Sequence, residues 1–232
     1  MTGLVGNVEI PTYSGTTVGW GTEFANANNG TGTFGSIQLT PKRLTAFVDI
    51  SKQFLIQTSD AAEAMLRQDI INALSAELEK AIFKVSAATS NAPARIDTSA
   101  TTITAATALA DWAGIVSNLE SANFYGDFRV VISPALKASL RGCSIDSGSG
   151  RFLFEDGELD GYPTIVSSNV ESGYGFVGVF NELILANWGA IDITVDPYSQ
   201  AAAGKVRIVV NAYVDAALRR AGAIQAFDYS AN

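Results

Sequence analysis

Residues 43–83 read RLTAFVDISKQFLIQTSDAAEAMLRQDIINALSAELEKAIF, and a change of period inside this stretch decides the fold class. At its start Leu44, Ala46, Val48 and Ile50 alternate with Thr45, Phe47, Asp49 and Ser51, the period of two of a strand with one buried face. From Leu66 onward the apolar positions recur every fourth residue, at Ile70, Leu74, Leu78 and Ile82, and run on to Phe83. Arg67, Gln68, Glu77, Glu79, Lys80 and Lys84 occupy the other faces, so the spacing predicts an amphipathic helix of about 25 residues. Asp60 with Glu63 three residues on resembles a capping box at its start, with Ser59 as a competing N-cap.

Downstream, 86–105 reads as loop with room for a short strand. Leu109, Trp112, Ile115, Val116 and Leu119 then fall at helical spacing. FRVVIS (128–133) is a compact buried strand, and Pro134 suits the first turn of a helix. Short strand-like pieces follow at 151–154, 164–168, 175–180, 182–189 and 191–195. The alternation of Val206, Ile208, Val210, Ala212 and Val214 marks a long strand, and 223–227 closes the pattern. The order predicts a mixed α+β fold, with a long helix and long strands bracketing a central α/β segment.

Upstream lies a segment of another kind. Residues 1–41 hold no Lys or Arg, two acids (Glu9 and Glu23) and eight glycines, with Leu4, Val5, Ile10, Val18, Trp20, Phe24 and Phe34 scattered without helical spacing. Such a stretch lacks the apolar density for a core of its own, yet is too uncharged and aromatic for a solvated tail. It is expected to lie against something else. The tract NANNGTGTFGS (26–36) reads as a turn-rich tip.

Composition points the same way. The 232 residues are 47% hydrophobic and 16% charged, against about 25% charged in an average globular chain, so charges are too few to cover a monomer comfortably. Fifteen basic and 23 acidic residues give −8, which argues against a broad basic face for nucleic acid. The chain contains no His, which removes His-based triads and metal sites, and Cys143 has no partner for a disulfide. No apolar run reaches the roughly 20 residues of a membrane span, and the N-terminus lacks the basic and apolar regions of a secretory signal, so assembly in the cytosol is expected.

The chemical motifs dissolve on inspection. Gly30-x-Gly32-x-x-Gly35 matches a dinucleotide fingerprint by letter, but a strand and Pro41 follow it where a helix N-terminus is needed, so a hairpin tip is expected. Asn29-Gly30-Thr31 is a glycosylation sequon in a chain without a signal sequence. The acidic run 155–160 lacks the spacing of a calcium loop, and Cys143 lacks a base. Arg219-Arg220 reads as a strand end paired with acids such as Asp215. No catalytic, cofactor-binding or metal-binding residue emerges, and no cofactor is expected.

The chain as a whole resembles the tailed-phage major capsid proteins of the Hong Kong 97 type. The resemblance is carried by Phe47-Val-Asp-Ile-Ser-Lys-Gln-Phe54 running into the helix 60–83, by Arg129-Val-Val-Ile-Ser-Pro134, and by Gly150-Arg-Phe-Leu-Phe154 followed by Leu159-Asp-Gly-Tyr-Pro-Thr-Ile-Val166. Gly175–Asn181, Asp192–Val195 and the strand 205–218 come in the family's order. The resemblance implies an α+β capsid fold with an N-terminal arm (1–15), an extended hairpin loop (16–42), a P-domain with a spine helix (43–95 and 190–232) and an A-domain (96–189). It implies hexamers and pentamers of this chain in an icosahedral virion shell, assembled in the host bacterial cytoplasm with portal and scaffolding proteins. The shell would enclose double-stranded DNA without tight binding and have no membrane partner.

Trp20, Phe24 and Phe34 are then candidate intersubunit contacts, and so are Arg43, Arg67 and Arg129, each set among apolar neighbours. Some family members link subunits through a loop lysine; residues 16–41 have none, so that chemistry is not expected. Met1 lies a short way before the arm, leaving no room for a fused scaffolding segment. Scaffolding then comes from a separate protein, or the chain is not the complete primary product. An encapsulin-like compartment is the alternative within the same fold, with the neutral, glycine-rich first segment favouring a phage. A small-molecule α+β enzyme is a distant alternative, lacking His, a metal cluster and a nucleotide loop.

Overall fold

The computed structural model describes residues 1–24, 26–53, 60–87, 89–145 and 150–230, with residues 60–64 described by backbone alone. Two antiparallel strands, β1 (Val8–Tyr13) and β2 (Phe34–Leu39), form a hairpin in which Val8 faces Leu39 and Tyr13 faces Phe34. Along β1, Val8, Ile10 and Thr12 are half-buried while Glu9, Pro11 and Tyr13 are exposed, so one side of the ribbon is sheltered at its root. Thr40 and Pro41 lead into β3 (Lys42–Ser51), and α1 (Asp60–Ile82) follows. The capping box expected at Asp60 and Glu63, and Ser59, lie outside the described side chains.

The fourfold spacing of α1 does what its period dictates. Ile70, Leu74 and Ile82 are buried, Leu66 and Leu78 half-buried, and Ile70 and Leu74 pack on Val210 together with Leu44, Val48 and Ile208. The chain continues through β4 (Ala100–Thr104), α2 (Ala108–Ser121), β5 (Arg129–Ile132) and α3 (Pro134–Arg141). Ser133 caps α3, its hydroxyl accepting the Leu136 N–H, and Pro134 takes the first turn, where no donor is missed. Then come β6 (Phe154–Glu155), β7 (Glu158–Leu159), β8 (Tyr162–Val166), β9 (Tyr174–Gly178), β10 (Leu183–Asn187), β11 (Asp192–Asp196), β12 (Lys205–Leu218) and β13 (Ile224–Ser230).

These strands form two larger sheets. In the first, β12 is central and every pairing is antiparallel: β3 runs along Lys205–Val214, and β10 and β11 run end to end along the other side, since Val214 pairs with both Lys42 and Asn187. The helix α1 covers one face of this sheet. The second sheet has seven strands in the order β4-β13-β9-β5-β8-β7-β6. Trp112, Ile115 and Leu119 of α2 and Leu136 and Leu140 of α3 bury one of its faces against Val130, Ile132, Val177 and Phe227. On the other face Val131, Phe176, Ile224 and Ala226 meet Phe83, Val85 and Ile96, which come from the chain just after α1. This second cluster joins the two sheets.

Three segments pair with strands that a local reading of the chain does not name. Val8–Tyr13, assigned to the arm, is one leg of the hairpin; Pro11 obscured it, although an edge strand tolerates a residue without an N–H. Leu183–Asn187, assigned to the A-domain, pairs with β12 in the first sheet. Ile224–Ser230, assigned to the P-domain, lies in the seven-stranded sheet between β4 and β9. Strand partners are chosen by non-local packing, which a local period does not encode.

Candidate assembly surface

The hairpin continues past its regular strands as a narrow ribbon. Ser14 N–H donates to Thr33 O (3.0 Å) and Thr17 N–H to Gly30 O (3.0 Å). The Tyr13 hydroxyl accepts the Gly32 N–H and is hydrogen-bonded to Thr16 Oγ1, both at 2.9 Å; the bond with Thr16, then that with Gly32, holds its pKa below the usual tyrosine value. Asn29 Oδ1 accepts from both the N–H and the hydroxyl of Thr31.

Two of the three fingerprint glycines serve close backbone approach. A Cβ at Gly30 would lie 1.8 Å from Thr17 O, and one at Gly32 2.1 Å from Gly15 O. No phosphate cradle is involved.

This ribbon carries large apolar side chains with no cover. Val18 is 94%, Trp20 103%, Phe24 98% and Phe34 81% exposed, although Phe34 tilts on Tyr13 with ring centroids 4.7 Å apart. Phe24 also holds a left-handed backbone (φ 68°), uncommon for a bulky residue. The whole chain exposes 13765 Å². A compact monomer of its 24.4 kDa exposes about 10,000 Å². The projecting ribbon, with these side chains uncovered, contributes to the excess.

The candidate arginines are scattered. Arg43 Nε donates to Asn211 Oδ1 (2.9 Å), which also accepts the Thr45 hydroxyl, on the sheet face away from α1. Arg67 is exposed on α1 and engaged within the chain. Arg129 grips Asp127 with two bonds of 2.9 and 2.7 Å, so it has a partner in its own chain. The alternation Asp127-x-Arg129 was the signal for that pair, since residues two apart on an extended chain share a side.

Asp215 pairs with Lys42 (3.1 Å), whereas Arg220 meets Glu182 (3.0 Å) and stacks over Phe124 (4.3 Å), which corrects the expected pairing of Asp215 with Arg219-Arg220. In the acidic run, Asp156 and Asp160 both have φ 48° in tight turns, and Glu155 accepts the Phe152 N–H. Among the described residues no group of acids or Cys is placed to hold a metal, Cys143 is buried, and no helix is long and apolar enough to cross a membrane.

The comparisons with known proteins agree with this geometry. The profile of the phage capsid family matches residues 1–229. The major capsid protein of Halomonas phage phiHAP-1 is 24% identical over 230 residues, covering 95% of this chain and 37% of that protein, so the chain spans little more than a third of the relative's length. Among solved structures, the capsid of the native GTA particle superimposes with a TM-score of 0.76 at 17% identity, covering 100% of this chain and 87% of the other. Proteins from Microbacterium phage Oxtober96 (0.74, 13% identity, 98% and 87%) and Gordonia phage Cozz (0.72, 15%, 99% and 83%) share the fold to a similar degree. With a whole-chain family match, a fold shared with capsid structures and an uncovered apolar hairpin, this chain belongs to the phage capsid family.

Proposed function

We propose that the chain is the major building unit of an icosahedral phage head, assembling as pentamers and hexamers into a shell around double-stranded DNA, and that it works by shape and burial without catalysis. The carrying observation is the hairpin, which holds Val18, Trp20 and Phe24 nearly fully exposed on a ribbon free of basic residues. Apolar groups of this size in one projecting element find cover on a neighbouring copy. In this reading residues 8–39 are the extended loop, the sheet around β12 with α1 is the P-domain, and the seven-stranded sheet is the A-domain.

The family match favours a genome container over an encapsulin-like compartment. The net charge of −8 supports passive enclosure, since tight phosphate contacts would impede DNA moving in and out. Portal and scaffolding proteins are the expected further partners, with assembly in the host cytoplasm. Electron microscopy of the purified chain, intact and with residues 14–33 replaced by a short turn, tests the reading. Shells from the intact chain and dispersed folded subunits from the shortened one are expected; normal shells from the shortened chain refute it.

A further inference from the structure

Asp215 is the only charged residue fully buried among the described residues, at 4% exposure, and it interrupts the apolar run of β12 between Val214 and Ala216. A carboxylate placed there is costly unless its partners compensate it. Besides the Ala216 N–H, its partners lie at the root of the hairpin: Oδ2 accepts the Thr40 N–H at 3.0 Å, and Oδ1 lies 3.1 Å from Lys42 Nζ. Thr40 and Pro41 are the whole connection between β2 and β3, and Leu39 beside them is fully buried. The hairpin's other foot is held by the Trp188 indole N–H on Gly6 O. Beyond the root the ribbon parts from the body, leaving an open cleft of about 620 Å³ between Tyr13 and Phe34 on one wall and Phe124, Arg219 and Arg220 on the other. Farther out Val18, Trp20 and Phe24 are almost fully exposed, so packing on the body does not aim the ribbon there.

We propose that Asp215 is a positioning residue for assembly: by gripping Thr40 and Lys42 from inside β12, its carboxylate fixes the angle at which the hairpin leaves the subunit before a neighbour is met. This rests on the reading that the hairpin docks on a second copy. An aromatic or aliphatic residue at 215 would satisfy the sheet's need for burial; a carboxylate adds direction, because hydrogen bonds and ion pairs constrain geometry where apolar contact does not. A hairpin aimed in advance reduces the ordering cost paid on association.

The test uses the full chain with spin labels at Thr22→Cys on the tip and Ser121→Cys on α2, both exposed positions, the native Cys143 being buried and unlabelled. Pulsed electron paramagnetic resonance reads the tip-to-body distance distribution in dissociated subunits, and light scattering reads assembly of the unlabelled chain. Asp215→Asn removes the charge that holds Lys42. Lys42→Gln does so from the partly exposed side and decides the matter if Asp215→Asn does not fold.

A broadened distance distribution is expected in the folded variants, together with assembly slowed about tenfold as preorganisation is lost; the melting temperature should fall in Lys42→Gln, which leaves the buried carboxylate without its counterion. An unchanged distribution in the folded variants overturns the latch whatever assembly does, and a broadened one with normal assembly overturns its role in assembly. If Trp20→Ala assembles normally, the docking reading fails instead, and the distance measurement still judges the latch.

Discussion

Replacing Trp20 with alanine separates folding from assembly, because the indole is fully exposed and its own chain does not shelter it. The isolated subunit should stay within about 0.5 kcal/mol of the parent, as surface substitutions do. On a neighbour the ring has much to lose: an aromatic side chain buries roughly 150–250 Å², worth about 4–6 kcal/mol at 25 cal/mol per Å² as an upper bound. Incomplete burial and the ordering of the ribbon bring this to about 2–3 kcal/mol per contact, the range of an interface hot spot. A loss of that size raises the concentration needed for assembly roughly 30- to 150-fold. Light scattering against subunit concentration measures the threshold, and thermal denaturation of dissociated subunits measures the fold. An unchanged threshold, or a melting temperature that falls with it, refutes the assignment of this ring to a neighbour's surface.

Leu74→Asp places an unpaired carboxylate on the buried stripe of α1 against Val210 and should cost several kcal/mol, enough to abolish the folded circular dichroism spectrum, whereas Lys80→Ala should leave it intact. Gly30→Ala puts a methyl group 1.8 Å from Thr17 O, so it should distort the ribbon and stop assembly while the melting temperature of the subunit holds; proteolysis confined to residues 14–33 is the readout. Arg129→Ala breaks a local, half-exposed pair with Asp127 and should shift stability by less than about 1 kcal/mol with no effect on shell formation seen by microscopy. The hydrogen bonds from Arg207 hold the Asp49 carboxyl below its usual range, so this group's stabilising contribution is present above about pH 4 and is lost as pH falls through the depressed value; a melting-temperature profile of Asp49→Asn should be flatter than the parent's on the acid side.

The parts of the fold that a local period can express were legible. The fourfold recurrence from Leu66 to Ile82 and the alternation in 44–50 and 206–214 each name a buried face, and α1, β3 and β12 meet on those faces. The neutral, aromatic first segment could be recognised as needing cover from elsewhere, and Val5, Val18, Trp20, Phe24 and Phe34 in it are uncovered. Partners chosen across the chain were not legible. Nothing in AIQAF says that it pairs in parallel with Ala100–Thr104, and nothing in a lone Asp within β12 says that its counterion is Lys42, 173 residues earlier in the numbering (215 minus 42). The arginines were judged by their apolar neighbours in sequence, which does not reveal that Arg43 meets Asn211 and Arg129 meets Asp127 within the chain.

The strand β13 follows every other strand in the chain, yet it sits inside the seven-stranded sheet, and β4 has no neighbour but β13 among the described strands. During synthesis β4 therefore emerges long before the strand it pairs with, and β9 keeps one side open for the same interval. A chain stopped before Ile224 carries two raw edges where the finished one carries a closed interior. Such an edge invites pairing with any passing strand. The seven-stranded sheet is whole only once Ile224–Ser230 has been made, so among the described strands its closure waits on the last of them.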